Sequence, residues 1–353
     1  MKKVLLATTA LIAASAFAAP AQAELEVSVG GFTAFQAAMF DNDLANSSDR
    51  DFQSEAQITV RADATADNGL QYGAHITLNT STNDQFNADE TAIYLAGSWG
   101  RVELGDEDGA SELVVFAPTV GIGQINGSYD DYVAAPAHSL NDRGDHNFTA
   151  IDSDDATKVT YYTPKFSGFQ AGVSYVPELD LGGETVTLVD GLVKDVFEVG
   201  LGYDGEFSNV QVKVGGTYVF GDAGDVLAGI EDINAWTLGA QLGYNGFRFG
   251  GSYTSNGDSL QSTGASDDDV TSWTVGATYE NGPWGVGISY LNTDFDVNAV
   301  DVSGNAGGDY TAWAMGGTYT VAPGLTVGAD LAFYDRDAVE DGYVFVTDVT
   351  ASF

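Results

Sequence analysis

Cysteine is absent from this 353-residue chain, so neither a disulfide framework nor thiolate chemistry is available to it. Past the first two dozen residues there is also no apolar run of helix-spanning length; the longest are pieces such as Leu113–Ala117, "LVVFA". Proline is scarce, at 7 residues, which suits a chain built of many strands. Basic side chains are few: 12 Lys and Arg stand against 51 Asp and Glu, a formal net charge of −39. That shortage excludes nucleic acid as a partner, because phosphate binding needs a basic face. Histidine is rarer still, limited to His75, His138 and His146. A Ser/His hydrolase needs a positioned imidazole. His75 has the parity of a strand's polar face, the other two fall in one long connection, and none sits in a catalytic motif. The sequence is therefore read as that of a protein without enzymatic activity.

What is present begins with "MKKVLLATTALIAASAFAAPAQA". Lys2 and Lys3, an apolar stretch and the small residues Ala21 and Ala23 have the layout of a cleaved secretory signal covering residues 1–23. The mature chain expected from it, 24–353, carries 51 acidic and 10 basic side chains, a balance of −41. With no helix long enough to span, an exported chain is either soluble or crosses a membrane as a closed β-barrel, the other structure that pairs every backbone group. Highly acidic chains are often disordered or adapted to salt. Strand-like alternation and 12% aromatic residues argue against disorder.

That alternation has a period of two and recurs in sixteen segments of roughly ten residues, from Leu25–Phe40 to Tyr343–Phe353. Short turns, such as Asn245–Gly246 and "NGP" at Asn281–Pro283, alternate with long acidic connections. Asn-Gly is a strong hairpin signal because both positions tolerate positive φ. Short turns at one rim and long loops at the other fit an up-and-down barrel and not a sandwich. One face of the strands is apolar, while the other carries Gly, Ser, Thr, Gln and charge. The strand-borne cations Arg61, Arg101, Lys158, Lys194, Lys213 and Arg248 all have polar-face parity. Aromatics such as Tyr203, Tyr244, Phe247, Tyr279, Trp284 and Tyr319 gather at strand ends on the apolar face, as in an interfacial girdle. The expected fold is all-β: a transmembrane antiparallel barrel of sixteen strands, apolar side outward.

One connection breaks the layout. Residues 107–156 form a stretch of about fifty without clear structure of its own, and loops of that length are usually functional or disordered. Its apolar residues, among them Leu113, Val114, Val115 and Phe116, point to packing against something. It also brings Glu107, Asp108, Glu112, Asp130, Asp131, Asp142 and Asp145, offset only by Arg143. A barrel of about sixteen strands has room inside for such a loop, and these acids with the six strand cations are then the candidate charged lining of its interior. No cofactor is expected. "DSDD" at Asp152–Asp155 and "SDDD" at Ser266–Asp269 offer carboxylates for weak Ca²⁺ or Mg²⁺ binding but lack EF-hand spacing.

Taken together, the signal, the sixteen segments, "VELGDEDGASE" before a long third loop, "NDRG" within it, "YYTPKFSGFQAGVSY" after it and the terminal Phe353 carry a resemblance. The chain resembles the general diffusion porins of Gram-negative outer membranes, especially the alpha-proteobacterial kind, over essentially its whole mature length. The resemblance implies a third loop folded into the barrel as an eyelet, three associated barrels, and contact with outer-membrane lipid and lipopolysaccharide. It also places the connection Ser81–Glu90 where the family uses a latch to the neighbouring subunit, a free surface loop being the alternative. The enterobacterial "PEFGG" loop motif is missing, so loop-tip positions do not carry over. The function expected is passive diffusion of ions and small hydrophilic solutes, with cations preferred because rings of Asp and Glu select for them. A substrate-specific channel and a plugged adhesive barrel are the alternatives.

Overall fold

A computed structural model describes residues 25–42, 48–80, 86–120, 132, 150–179, 193–224, 229–261, 269–294, 309–336 and 340–353. Sixteen strands are described: β1 Glu26–Asn42, β2 Arg50–Thr65, β3 Gln71–Thr80, β4 Phe86–Gly97, β5 Gly100–Asp106, β6 Thr157–Tyr162, β7 Phe169–Glu178 and β8 Val193–Phe207. They continue as β9 Val210–Ala223, β10 Ile233–Tyr244, β11 Phe247–Gly257, β12 Val270–Asn281, β13 Trp284–Asp294, β14 Tyr310–Ala322, β15 Leu325–Arg336 and β16 Glu340–Ser352. Each strand pairs with its sequence neighbours, and β1 pairs antiparallel with β16, so the sheet closes. Closure leaves no row of unpaired backbone groups. The last residue takes part, since Phe353 and Gly31 exchange backbone hydrogen bonds of 3.0 and 3.1 Å.

The turns at one rim follow from their residues. Asn245 and Gly246 have φ of 47° and 83°, as a two-residue hairpin requires. Ser208 and Asn209 adopt the same left-handed region, at 50° and 66°, without a glycine to announce it. At the other rim β4 begins at Phe86, so half of the Ser81–Glu90 connection is strand rather than loop. A register shift beside Leu78 accommodates it. A second irregularity falls between Lys194 and Phe197 of β8, where Asp195 has φ of 49°.

The two faces are sorted as alternation demands. On β13 Trp284, Val286 and Ile288 are 61%, 51% and 42% exposed, while Ser289 and Leu291, of the opposite parity, are buried. Rings meet in two bands on the outer face. Phe169–Tyr203, Phe247–Tyr279 and Trp284–Tyr319 lie at the short-turn rim, with centroids 4.4–4.7 Å apart. Trp236–Tyr253, Trp273–Tyr290 and Tyr290–Trp313 lie toward the other rim. The inner face departs from the expectation of polarity in two places. Val176, Val196, Val219, Ile233 and Ala235 point inward and are wholly or almost wholly buried with Ala150, Ala156 and Leu260. Val344, Val346 and Ala312 do the same with Ala117 and Tyr132. The reason is that these stretches meet another piece of protein instead of water.

Adjacent positions on β13 test the sorting. Ile288→Arg places a cation on the outward apolar face and should cost about 2–4 kcal/mol near mid-membrane. Gly287→Arg, one residue away on the inner face, should escape that lipid penalty. Equilibrium unfolding in lipid vesicles would measure both.

Candidate functional site

The inner wall of β7–β13 is chemically specialised for one task. Leaving β5, the chain makes a short 3-10 turn, Ala110–Leu113, and then runs extended as far as 120 across the strands. A segment crossing strands has no ladder partner, so its backbone groups need side-chain partners. The wall supplies them. Ser174 accepts from Ala110 N at 2.7 Å, Gln241 donates to Phe116 O at 2.8 Å, and Thr274 accepts from Ala117 N at 3.4 Å. The returning arm is held likewise: Thr237 accepts from Ala150 N at 2.9 Å and Asn256 from Ile151 N at 2.8 Å.

Close approach decides the glycines on this wall. A Cβ added at Gly200, Gly215 or Gly239 would strike the carbonyl oxygens of Ala110, Leu113 and Val115 respectively. One at Gly276 would lie 2.8 Å from Pro118 O, and one at Gly285 2.7 Å from Val120. The segment steps across the strands, and on β8, β9, β10, β12 and β13 it lands on a position without a side chain. Polar-face glycines that read as small lumen residues are therefore docking positions.

Glu198 of β8 joins the two arms. It is fully buried and accepts from Ser111 N at 3.1 Å, Ser153 N at 2.7 Å and the Ser153 hydroxyl. One carboxylate thus binds the outgoing and the returning arm of the connection. Its parity on the polar face was legible in the sequence; its partners, 87 and 45 residues away, were not.

The opposing wall, β2–β6, carries mixed charge. Arg101 pairs with Glu103 and sits 3.8 Å over the Tyr94 ring, whose hydroxyl donates to Asp63 at 2.7 Å. Arg61 stands in register with His75 on the neighbouring strand. Lys158, expected as a lining cation, is 4% exposed; its ammonium donates to the backbone carbonyls of Glu107 and Asp154 and so closes the root of the connection. Lys213 and Arg248 lie near the short turns, 3.7 Å from Asp204 and 2.6 Å from Glu280. Lys194 sits beside the irregularity at the far end of β8, in register with Glu178. The six cations therefore do not form one patch.

Of the acids, Glu107 and Asp108 are half-buried at the root and Glu112 is exposed on the 3-10 turn. Asp130, Asp131, Asp142 and Asp145 lie outside the described residues, as does Arg143. Burial, then Glu90, Glu103 and Asp108, push the Glu107 carboxyl up to about 7 against the opposing pull of Arg61. Burial and the adjacent Asp154 push Asp155 to about 7 as well. The run Asp152–Asp155 is thus packed against the root, with Asp152 3% exposed, not spread in water. Sequence reading missed Glu103, whose parity with Arg101 marked it as inward-facing, and Glu90, which read as part of a loop; the neighbours of both come from other strands.

A sequence model described as the Gram-negative porin matches residues 7–339. The chain belongs to the Gram-negative porin family. An uncharacterized protein of Rickettsia felis is 25% identical over 396 aligned residues, covering 85% of this chain and 88% of that one. A porin of Rhodobacter capsulatus is 29% identical over 131 residues, 37% of this chain and 40% of its own. Among solved structures, a loop-deletion mutant of OmpT, an outer membrane protein of Vibrio cholerae, superposes with a TM-score of 0.63 at 15% identity, covering 93% of this chain and 99% of that one. A mutant of the Rh. blastica porin gives 0.61 at 18% identity, covering 93% and 100%. This porin is accordingly a β-barrel diffusion channel of the bacterial outer membrane.

Removing the Glu198 carboxylate leaves buried amide donors at Ser111 and Ser153 without an acceptor. Glu198→Ala should cost about 3 kcal/mol, from two unsatisfied donors at roughly 1–3 kcal/mol each. The connection itself should become at least tenfold more sensitive to limited proteolysis, while the outer-face strands stay protected. Cleavage mapping by mass spectrometry reads both.

Proposed function

We propose that this porin is a homotrimeric, water-filled channel that passes ions and small hydrophilic solutes passively, with a modest preference for cations. It reaches the outer membrane after loss of the secretory signal at residues 1–23, and it acts as a conduit rather than an enzyme. The long connection, 107–156, crosses the lumen and narrows it. The observation that carries this reading is the anchoring of both arms of that connection to the inner wall through Glu198. Glu107, Asp108 and Glu112 enter from the root, and Asp130 and Asp131 are the proposed eyelet acids. Arg61 and Arg101 face them. Opposed charges across a narrow gap set up a transverse field that orders water and disfavours apolar solutes. With 51 acidic side chains to 10 basic ones once residues 1–23 are lost, the low-dielectric wall focuses a net negative potential and enriches permeant cations.

Planar-bilayer recording tests this. Zero-current potentials across a KCl gradient should give K⁺ permeating more readily than Cl⁻ at low salt, the ratio falling toward unity near 1 M as the Debye length shrinks to about 3 Å. Asp130→Asn with Asp131→Asn should lower the ratio without closing the channel. An anion-selective value at low salt would instead give control to Arg61 and Arg101. Saturable block by one solute would mean a substrate-specific channel, and absence of conductance a plugged barrel.

A further inference from the structure

Three side chains converge at the root of the long connection: His75 of β3, Glu90 of β4 and Glu107 just past β5. One ligand atom from each lies within 4.8 Å of the other two. His75 Nε2 is 2.5 Å from Glu107 Oε2 and 3.8 Å from Glu90 Oε2. His75 is 5% exposed, and beyond that mutual contact its Nε2 and the facing Glu107 Oε2 are enclosed with no hydrogen-bond partner. A buried polar atom without a partner is costly, so such atoms ordinarily have one. Here two of them point into the same small space. Behind them the geometry is braced: Thr77 donates to Glu90 Oε2 at 2.9 Å, and Thr77 and Thr59 hydroxyls are 3.1 Å apart. Outer hydrogen bonds of this sort orient ligating carboxylates in metal sites.

We propose that His75, Glu90 and Glu107 bind one first-row divalent transition-metal ion of the Zn²⁺ class per chain, with water completing the coordination. The donor set selects the ion. An imidazole nitrogen with two carboxylates suits Zn²⁺ and its neighbours, whereas Ca²⁺ takes six to eight oxygens. Zinc–ligand bonds of about 2.0–2.2 Å put donors roughly 3.3–3.5 Å apart in a tetrahedron. The two measured His75 separations bracket that spacing, so small side-chain rotations suffice. Local charge agrees: Glu103 and Asp108 add to the two ligand carboxylates, while Arg61 and Arg101 are the guanidiniums acting on the site. A dication replaces that surplus of negative charge with near balance. The ion would tie the point where the connection leaves β5 to β3 and β4, a second tether complementing Glu198 on the other wall.

The folded full-length protein in detergent micelles, stripped with a chelator, is titrated calorimetrically with Zn²⁺ and spectroscopically with Co²⁺. The expected result is one Zn²⁺ per chain, with Co²⁺ giving visible ligand-field absorption of low-coordinate geometry. His75→Gln and Glu107→Gln should each weaken Zn²⁺ binding at least about tenfold, while Asp258→Asn, on a distant connection, leaves it unchanged. Heat-modifiable migration on a gel confirms that each variant is folded. Should a substitution prevent folding, the wild-type melting temperature decides: it should rise with Zn²⁺ and not with Ca²⁺. No Zn²⁺ uptake by the wild type, equal uptake by folded variants, or displacement by equimolar Ca²⁺ would overturn the site. The last of these outcomes would assign binding to the oxygen-only cluster Asp108, Asp154 and Asp155, whose carboxylates also lie within 4.8 Å of one another. Conductance plays no part in these readings, so they stand apart from the channel function.

Discussion

Backbone polar groups in hydrocarbon have no water to turn to, and pairing them all is the constraint from which this molecule follows. A closed sheet satisfies it, and here closure extends to the Gly31–Phe353 exchange at the seam. Once every strand has two partners, side chains are free to divide by parity. Outward positions take valine, leucine, phenylalanine and interfacial tryptophan and tyrosine; inward positions take whatever the interior requires.

The same constraint then acts a second time, inside. A segment that leaves the sheet and crosses the strands carries unpaired amides and carbonyls into an enclosed space. Ser174, Thr237, Gln241, Asn256 and Thr274 receive them, and Glu198 receives three donors at once. Glycines let the backbones approach closely enough for those bonds to form. Valines and alanines at the inner ends of β7–β10 pack against the returning arm. The inner wall is therefore less a uniform polar lining than a mould for one segment, with charge concentrated on the side left free.

That division gives the two walls different duties. On β7–β13 polarity serves docking. On β2–β6 it sets an electrostatic field, with Arg61, Arg101, Glu90 and Glu103 at fixed positions on rigid strands. Lys158 belongs to neither group, because its ammonium is spent on the carbonyls of Glu107 and Asp154. A cation with lumen parity is thus a poor candidate for selectivity where, as at Lys158, it is buried and its charge is enclosed by backbone carbonyls.

Much of this was legible in the amino-acid order. Period-two alternation located all sixteen strands, because parity is a local property of an extended chain. Asn-Gly turns placed hairpins, and the lack of any long apolar helix left a closed barrel as the membrane-spanning form. The unusual length of 107–156 marked that connection as special, and its apolar residues showed that it packs. Less local matters were not legible. Phe86–Glu90 read as loop, since a strand edge lengthened by pairing has no composition of its own. Val196 and Val219 share the parity of the polar face, but that a segment of protein covers them was not legible, because parity does not reveal what covers a face. Glu198 could not be told from Asp330 or Glu55 on the same polar face, and neither could the meeting of His75, Glu90 and Glu107 be foreseen. By itself the sequence determined the strands, their faces and the family, all of which depend on neighbours one or two residues apart. Only the tertiary structure decided which inward groups bind the crossing segment, which remain to act on ions and which converge on one point, because those roles depend on distances across a closed wall between residues far apart in the chain.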